Sequence, residues 1–150
     1  AAALARDGEV VPATLLKTEQ TVPGVRVFSE ENAKAMRKML HMVTGPGGTA
    51  PKAQTMGYSV GGKTGTARKL EGKTYSTSKY RGVFVGLAPI DEPRLVVGVM
   101  IDNPKGAYFG GETAAPVFSQ VVQQTLRLMG VAPDKAIQPM LVTQKSGDSE

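Results

Sequence analysis

The sequence predicts an α/β chain of the α+β kind, an antiparallel sheet with flanking helices, and three observations lead there. Two strand-length apolar runs, Tyr80 to Ala88 and Arg94 to Ile101, are joined only by Pro89-Ile90-Asp91-Glu92-Pro93. A parallel crossover takes a dozen or more residues, so these runs are antiparallel neighbours. A third extended segment, Tyr58 to Lys69, reaches the first of them through a turn near Gly72, which completes a three-strand meander. A helical pattern from Thr113 to Met129 follows and is free to cover one face of that sheet.

Taken in order, Ala1 to Gly8 reads as the last turns of a helix closing on glycine, as if the chain were a piece of something longer. Glu9 to Leu16 is extended, with Pro12 keeping it at an edge or outside a sheet. Lys17 to Val27 is a polar connection with a Pro23-Gly24 turn. Ser29 is placed to cap a helix whose first turn holds Glu30 and Glu31. Ala33, Met36, Leu40 and Val43 make its apolar stripe, while Lys34, Arg37, Lys38 and His41 hold the other face. On this pattern Met36, Met39 and Met42 fill core and His41 is solvated. Thr44 to Gly48 ends the helix, Leu70 to Lys73 is a turn, and Asn103 to Gly111 is a loop with two aromatics among glycines. In the last helix Phe118, Val121, Val122, Thr125 and Met129 form the stripe, with Gly130 as the stop. Beyond Pro133 the pattern is lost, and residues 134–150 read as a disordered tail.

Bulk properties narrow the chemistry. The length of 150 residues suits one modest domain, and 41% hydrophobic with 21% charged residues is ordinary for a globular chain. A net charge of +5 favours anionic partners. The cations are scattered, which argues against a nucleic-acid surface. With no cysteine and one histidine, disulfides, thiolate sites and histidine clusters are excluded, so no metal and no cofactor are expected. No apolar run approaches the roughly 20 residues of a membrane helix.

The candidate chemistry lies in Gly57-Tyr58-Ser59-Val60-Gly61-Gly62-Lys63-Thr64-Gly65-Thr66-Ala67-Arg68-Lys69. From Gly57 it fits the phosphate-loop pattern G-x-x-x-x-G-K-[ST], and Leu95 to Asp102 resembles a strand ending in a magnesium-binding Asp. A phosphate loop must follow a buried strand and open a helix. Upstream here is a polar segment broken by Pro51, and downstream Gly65 and Gly72 oppose a helix. From Lys63 the same stretch is a Lys-Thr-Gly strand. There Lys63 and Thr64 can donate to a carboxylate, Gly65 lets a substrate backbone lie close, and the Thr66 N–H can face an oxyanion. An ordinary edge strand kept soluble by Lys63 and Lys69 is the plain alternative.

Further motifs stand in order around it: Thr21-Val22-Pro23-Gly24-Val25, Pro46-Gly47-Gly48-Thr49, Gly86-Leu87-Ala88-Pro89, Ile101-Asp102-Asn103-Pro104, Tyr108-Phe109-Gly110-Gly111 and Ala114-Ala115-Pro116-Val117-Phe118. With these, residues 1–133 resemble the C-terminal portion of the transpeptidase domain of class B penicillin-binding proteins, above all the division-specific ones of Gram-negative bacteria. The resemblance implies a β-lactamase/transpeptidase-like fold of which only the C-terminal portion is here. It implies a peptidoglycan D,D-transpeptidase at the periplasmic face of the inner membrane, with stem peptides, β-lactams and division proteins as partners. It assigns Lys63 and Thr64 to the substrate carboxylate, Thr66 N–H to half the oxyanion hole, and Thr66 and Arg68 to the pocket around it. Tyr80, Tyr108 and Phe109 match an aromatic wall; read from structure alone, Tyr80 is a strand residue packed on a neighbour.

The family also needs Ser-x-x-Lys and Ser-x-Asn ahead of the Lys-Thr-Gly strand. Ser-x-Asn is absent, and Ser76-Thr77-Ser78-Lys79 comes after Lys63 in an expected loop, where the nucleophile should open a buried helix. Ser76 is therefore a chance match. The chain is expected to need an N-terminal remainder of the same protein for catalysis and to be inactive alone.

Overall fold

The computed structural model describes residues 1–15 and 22–136. Helix α1 (Ala2–Ala5) closes on Gly8, whose φ of +94° is the left-handed value that glycine adopts at no cost. Strands β1 (Glu9–Val10) and β2 (Val25–Arg26) pair antiparallel, so the supposed connection from Lys17 to Val27 carries a strand. Its residues 17–21, and Leu16, lie outside the described part. Helix α2 spans Glu30–Met42, with the Asn32 N–H donating to Ser29 Oγ at 3.2 Å as the cap requires.

Strands β3 (Gly61–Glu71), β4 (Thr74–Ala88) and β5 (Leu95–Asp102) form the expected meander, in that order and antiparallel throughout. After them come α3 (Gly110–Thr113) and α4 (Ala115–Leu128), where the sequence suggested one helix from Thr113. Because side chains alternate along a strand, Gly62, Phe84, Gly86, Val97 and Val99 share the face covered by α4. Phe84 and Phe118 meet edge to face, centroids 4.8 Å apart. A β-carbon on Gly86 would sit 2.6 Å from the Phe118 ring, so glycine makes room for it.

Several packing expectations are corrected. On α2 the buried positions are Ala33 and Arg37, while Met36, Met39 and Met42 are exposed. The reason is α1: its terminal carbonyls need donors, and Arg37 gives one hydrogen bond to Leu4 O at 2.6 Å and one to the Asp7 carboxylate at 2.7 Å. His41 is half-buried, with Nδ1 2.6 Å from Val60 O. On α4 the buried stripe is Ala115, Phe118, Val122 and Leu126, and Val121 and Met129 face outward. Segment Ser76 to Lys79 is strand, not loop; Ser76 is buried and its Oγ accepts from the Lys79 N–H at 3.2 Å.

The approach to β3 is held from two sides. His41 of α2 and Thr44 in the turn after it both bond Val60 O. From beyond α4, the Asp134 carboxylate takes the Ser59 N–H at 2.7 Å and the Ser59 hydroxyl, while the Asp134 and Lys135 N–H groups reach Gly57 O. Ordered packing thus continues past Pro133; the rest of the expected tail, from 137, lies outside the described residues. Removing the carboxylate leaves the buried Ser59 N–H without a partner. Asp134→Ala should lower unfolding free energy by about 1–3 kcal/mol, read as a drop in the urea midpoint.

At the far end of the sheet Asp102 accepts from Lys69 at 2.6 Å and Arg81 at 2.8 Å. These two hydrogen bonds, Lys69 first, hold its carboxyl below the usual carboxylate range. A carboxyl depressed in the folded state stabilises above its ordinary value of 3.8 and loses that contribution as pH falls through the folded value. The stability gap between the native chain and Asp102→Asn should therefore shrink with acidification below that value, measured as denaturation midpoints against pH. A gap independent of pH would refute the assignment.

Candidate functional site

Strand β3 has β4 along one edge and no strand along the other among the described residues. The phosphate-loop reading fails here, because Lys63 and Thr64 sit inside an eleven-residue strand and no helix follows them. Alternation sends Thr64, Thr66 and Arg68 to the face shared with α4, and Lys63 and Gly65 to the opposite one.

On the shared face the core stops at Phe84, and the register puts Gly82 opposite Thr66. Helix α3 lies down on that gap. A β-carbon at Gly110 would stand 2.1 Å from Val83 O and 2.6 Å from Gly65 O, and one at Gly111 2.1 Å from Thr49 O. Two adjacent glycines thus let α3 touch the strand backbone at Gly110 and the loop backbone at Gly111 directly. The Gly110 N–H donates to Thr66 Oγ1 at 3.3 Å, and Thr49 and Thr64 hydroxyls are 3.3 Å apart. Together Thr49, Thr64, Thr66, Phe109, Gly110, Gly111 and Glu112 line a cleft of about 340 Å³. A larger hollow of about 630 Å³ runs between Glu30, Glu31, Lys34, Ala35 and Lys38 on the outer surface of α2, where solvated side chains do not converge.

Beside the cleft runs a stack of predicted residues. The Arg68 guanidinium lies 5.9 Å from the Tyr80 ring centre. Tyr80 and Tyr108 are parallel-stacked at 4.3 Å, and Tyr108 leans on Phe109 at 4.5 Å. Phe109 is 57% exposed at the end of the row. Tyr80 therefore packs on a neighbour and belongs to the row at once.

The structure brings Thr64, Thr66 and Phe109 into one cleft and sets Arg68, Tyr80 and Tyr108 along its flank. Gly65 contributes backbone beneath Gly110. Lys63 does not line the cleft; its Nζ turns back to Thr64 O at 3.1 Å. Sequence reasoning missed Thr49 and the pair Lys52–Glu112, which is bridged across 60 residues of chain. The Gly-rich loop before Thr49 was a usable signal, whereas nothing in the spacing announces the pair. Ser76 sits in the bulge of β4 between the pairs Arg68–Tyr80 and Leu70–Tyr75, about 20 Å along the sheet from Lys63 at the usual strand rise, and it does not line the cleft.

Residues 1–123 match the model of the penicillin-binding protein transpeptidase domain. The chain belongs to this family. It is 41% identical over 135 residues to the probable peptidoglycan D,D-transpeptidase PenA of Neisseria flavescens, covering 89% of this chain and 34% of that protein. It is 38% identical over 124 residues to the peptidoglycan D,D-transpeptidase FtsI of Escherichia coli K12, covering 82% and 21%. The transpeptidase domain of Burkholderia pseudomallei penicillin-binding protein 3 superposes with a TM-score of 0.81 at 48% identity, covering 89% of this chain and 41% of that one. The chain thus spans about a third or less of the curated relatives it matches. The penicillin-binding family and the α/β fold expected from the motifs are therefore those found.

The tight seat of α3 is open to test. Gly110→Ala should cost about 1–3 kcal/mol through overpacking and weaken the tyrosine signal in near-ultraviolet circular dichroism as Tyr108 shifts from Tyr80. An unchanged spectrum with unchanged stability would mean that the approach is looser than these distances.

Proposed function

We propose that the chain is the part of a peptidoglycan D,D-transpeptidase that carries the acyl-donor strand. The observation that bears most weight is that β3 has no strand on one edge among the described residues, with its Thr64 and Thr66 lining a cleft floored by glycine. An extended peptide can lie along such an edge by main-chain hydrogen bonds. Thr64 and Lys63 then hold the terminal carboxylate of a D-Ala-D-Ala stem peptide or of a β-lactam, each bond to a charged group contributing about 1.5–3 kcal/mol. Gly65 leaves room for the substrate backbone. The Thr66 N–H faces the oxygen that becomes negative, a contact whose loss typically costs about 2.7–4 kcal/mol. Arg68, Tyr80, Tyr108 and Phe109 receive the side chain.

The chemistry needs a nucleophile from elsewhere in the protein. In the proposed reaction a serine of an N-terminal Ser-x-x-Lys segment attacks the penultimate D-Ala carbonyl. Terminal D-Ala leaves as the amine with the proton, and an amine of a neighbouring stem peptide then displaces the serine. With a β-lactam the amide that opens stays tethered, so the acyl-enzyme persists. A Ser-x-Asn element would complete the site. The setting that follows is the periplasmic face of the inner membrane, at the division septum with division proteins. No helix among the described residues is long and apolar enough to cross a membrane, so an anchor would come from outside them. A non-catalytic binding module is the second reading, and the placement of Ser76 outside the cleft favours it for the chain by itself.

A fluorescent penicillin separates the two. In the full-length protein the label should form a covalent adduct on the Ser-x-x-Lys serine, located by intact mass and peptide mapping. Lys63→Met should slow labelling about ten- to a hundredfold, the equivalent of the hydrogen bond it removes. Absence of any adduct on a folded protein would favour the binding module, and an adduct on Ser76 would overturn the site.

A further inference from the structure

Glu112 is the one charged side chain among those that line the cleft; Thr49, Thr64, Thr66, Phe109, Gly110 and Gly111 are neutral. Its place is fixed by its surroundings. It stands in α3, which Gly110 and Gly111 press onto backbone, and its own N–H bonds Phe109 O at 2.9 Å. Its carboxylate takes the Lys52 ammonium from the 3₁₀ turn Pro51–Ala53. The two side chains are 53% and 45% exposed, and exposed pairs contribute little to stability, so holding the fold together does not account for the pair. Lys52 itself does not line the cleft, so of the pair it is Glu112 that a ligand there meets. Beside it stands the exposed Phe109 ring.

We propose that Glu112 is a specificity-determining residue, and that it makes the cleft favour acyl donors whose side chain carries an ammonium beside an apolar or aromatic group, with Lys52 as the counter-ion that moderates this preference. The inference rests on the transpeptidase reading above. A ligand ammonium next to Phe109 replaces Lys52 as the partner of the carboxylate, and Lys52, already half exposed, returns to water. A side-chain carboxylate beside Phe109, distinct from the terminal carboxylate held at Thr64, meets Glu112 and is disfavoured.

The test uses the full-length protein and penicillins that share a nucleus and differ in side-chain charge: benzylpenicillin, neutral; ampicillin, with an ammonium; carbenicillin, with a carboxylate. The readout is the ratio of second-order acylation rates, ampicillin over carbenicillin. Glu112→Gln should lower that ratio about two- to fivefold, the range of an exposed charge contact, and Lys52→Met should raise it by a similar factor. Both shifts should shrink as salt rises. Opposite directions mark a charge effect, since a merely structural lesion slows all three penicillins alike. Ratios that stay put, or move the same way in both variants, would overturn this inference while leaving the transpeptidase reading intact. A native protein that benzylpenicillin does not acylate would overturn that reading and this inference with it.

Discussion

The backbone of Gly110 rests on the carbonyl oxygens of Val83 and Gly65, and the cleft takes its shape from that contact. A side chain there would lift α3 away from the sheet, carrying Phe109, Gly111 and Glu112 with it. Because the floor is main chain, its dimensions are set by covalent geometry and not by rotamers. The side chains that project past it are few: three threonines, one ring and one carboxylate. The core reinforces this arrangement from behind, since Phe118 of α4 is seated in the gap at Gly86 and fixes how closely the helix layer can approach.

Strand β3 is held firmly where it begins and left open where it would work. Val60 and Ser59 bond to α2, to Ile90 and to Asp134, so the strand starts from a point tied to three parts of the fold. Past that point Lys63 to Thr66 have β4 on one side and no strand on the other among the described residues. A receptor for an extended peptide benefits from this combination, because a strand that does not have to be ordered on binding costs less free energy when it binds.

Much of this was legible in the residues. The five-residue link from Pro89 to Pro93 dictated antiparallel strands, and the alternation on β3 followed once its register was known. The family motifs around Lys63 named Thr64, Thr66, Arg68, Tyr80, Tyr108 and Phe109 before any geometry, and these now share one flank of the molecule. What stayed hidden depends on contacts far apart in the chain. Arg37 looked like a solvent residue because its partners, Leu4 and Asp7, are some thirty positions away. The same holds for Asp134 with Ser59, 75 apart, and for Lys52 with Glu112, 60 apart. Periodicity describes which face of a helix is apolar but not which neighbour arrives to cover it, so α2 turned its methionines outward. Ser76 to Lys79 was missed as strand because its polarity reads as loop; it forms the bulge of β4 opposite Lys69, with the hairpin resuming at Tyr75.

The unpaired edge of β3 has a second consequence. A row of free N–H and C=O groups accepts any strand presented to it, including the same strand of another molecule. The exposed apolar residues Val85, Val96 and Met100 on the outward face of the sheet would add to such self-association. Lys63 and Arg68 place positive charge along this strand, Lys69 being paired with Asp102, so two copies brought edge to edge repel. The same charges that suit the edge to an anionic ligand thus oppose pairing with a second copy.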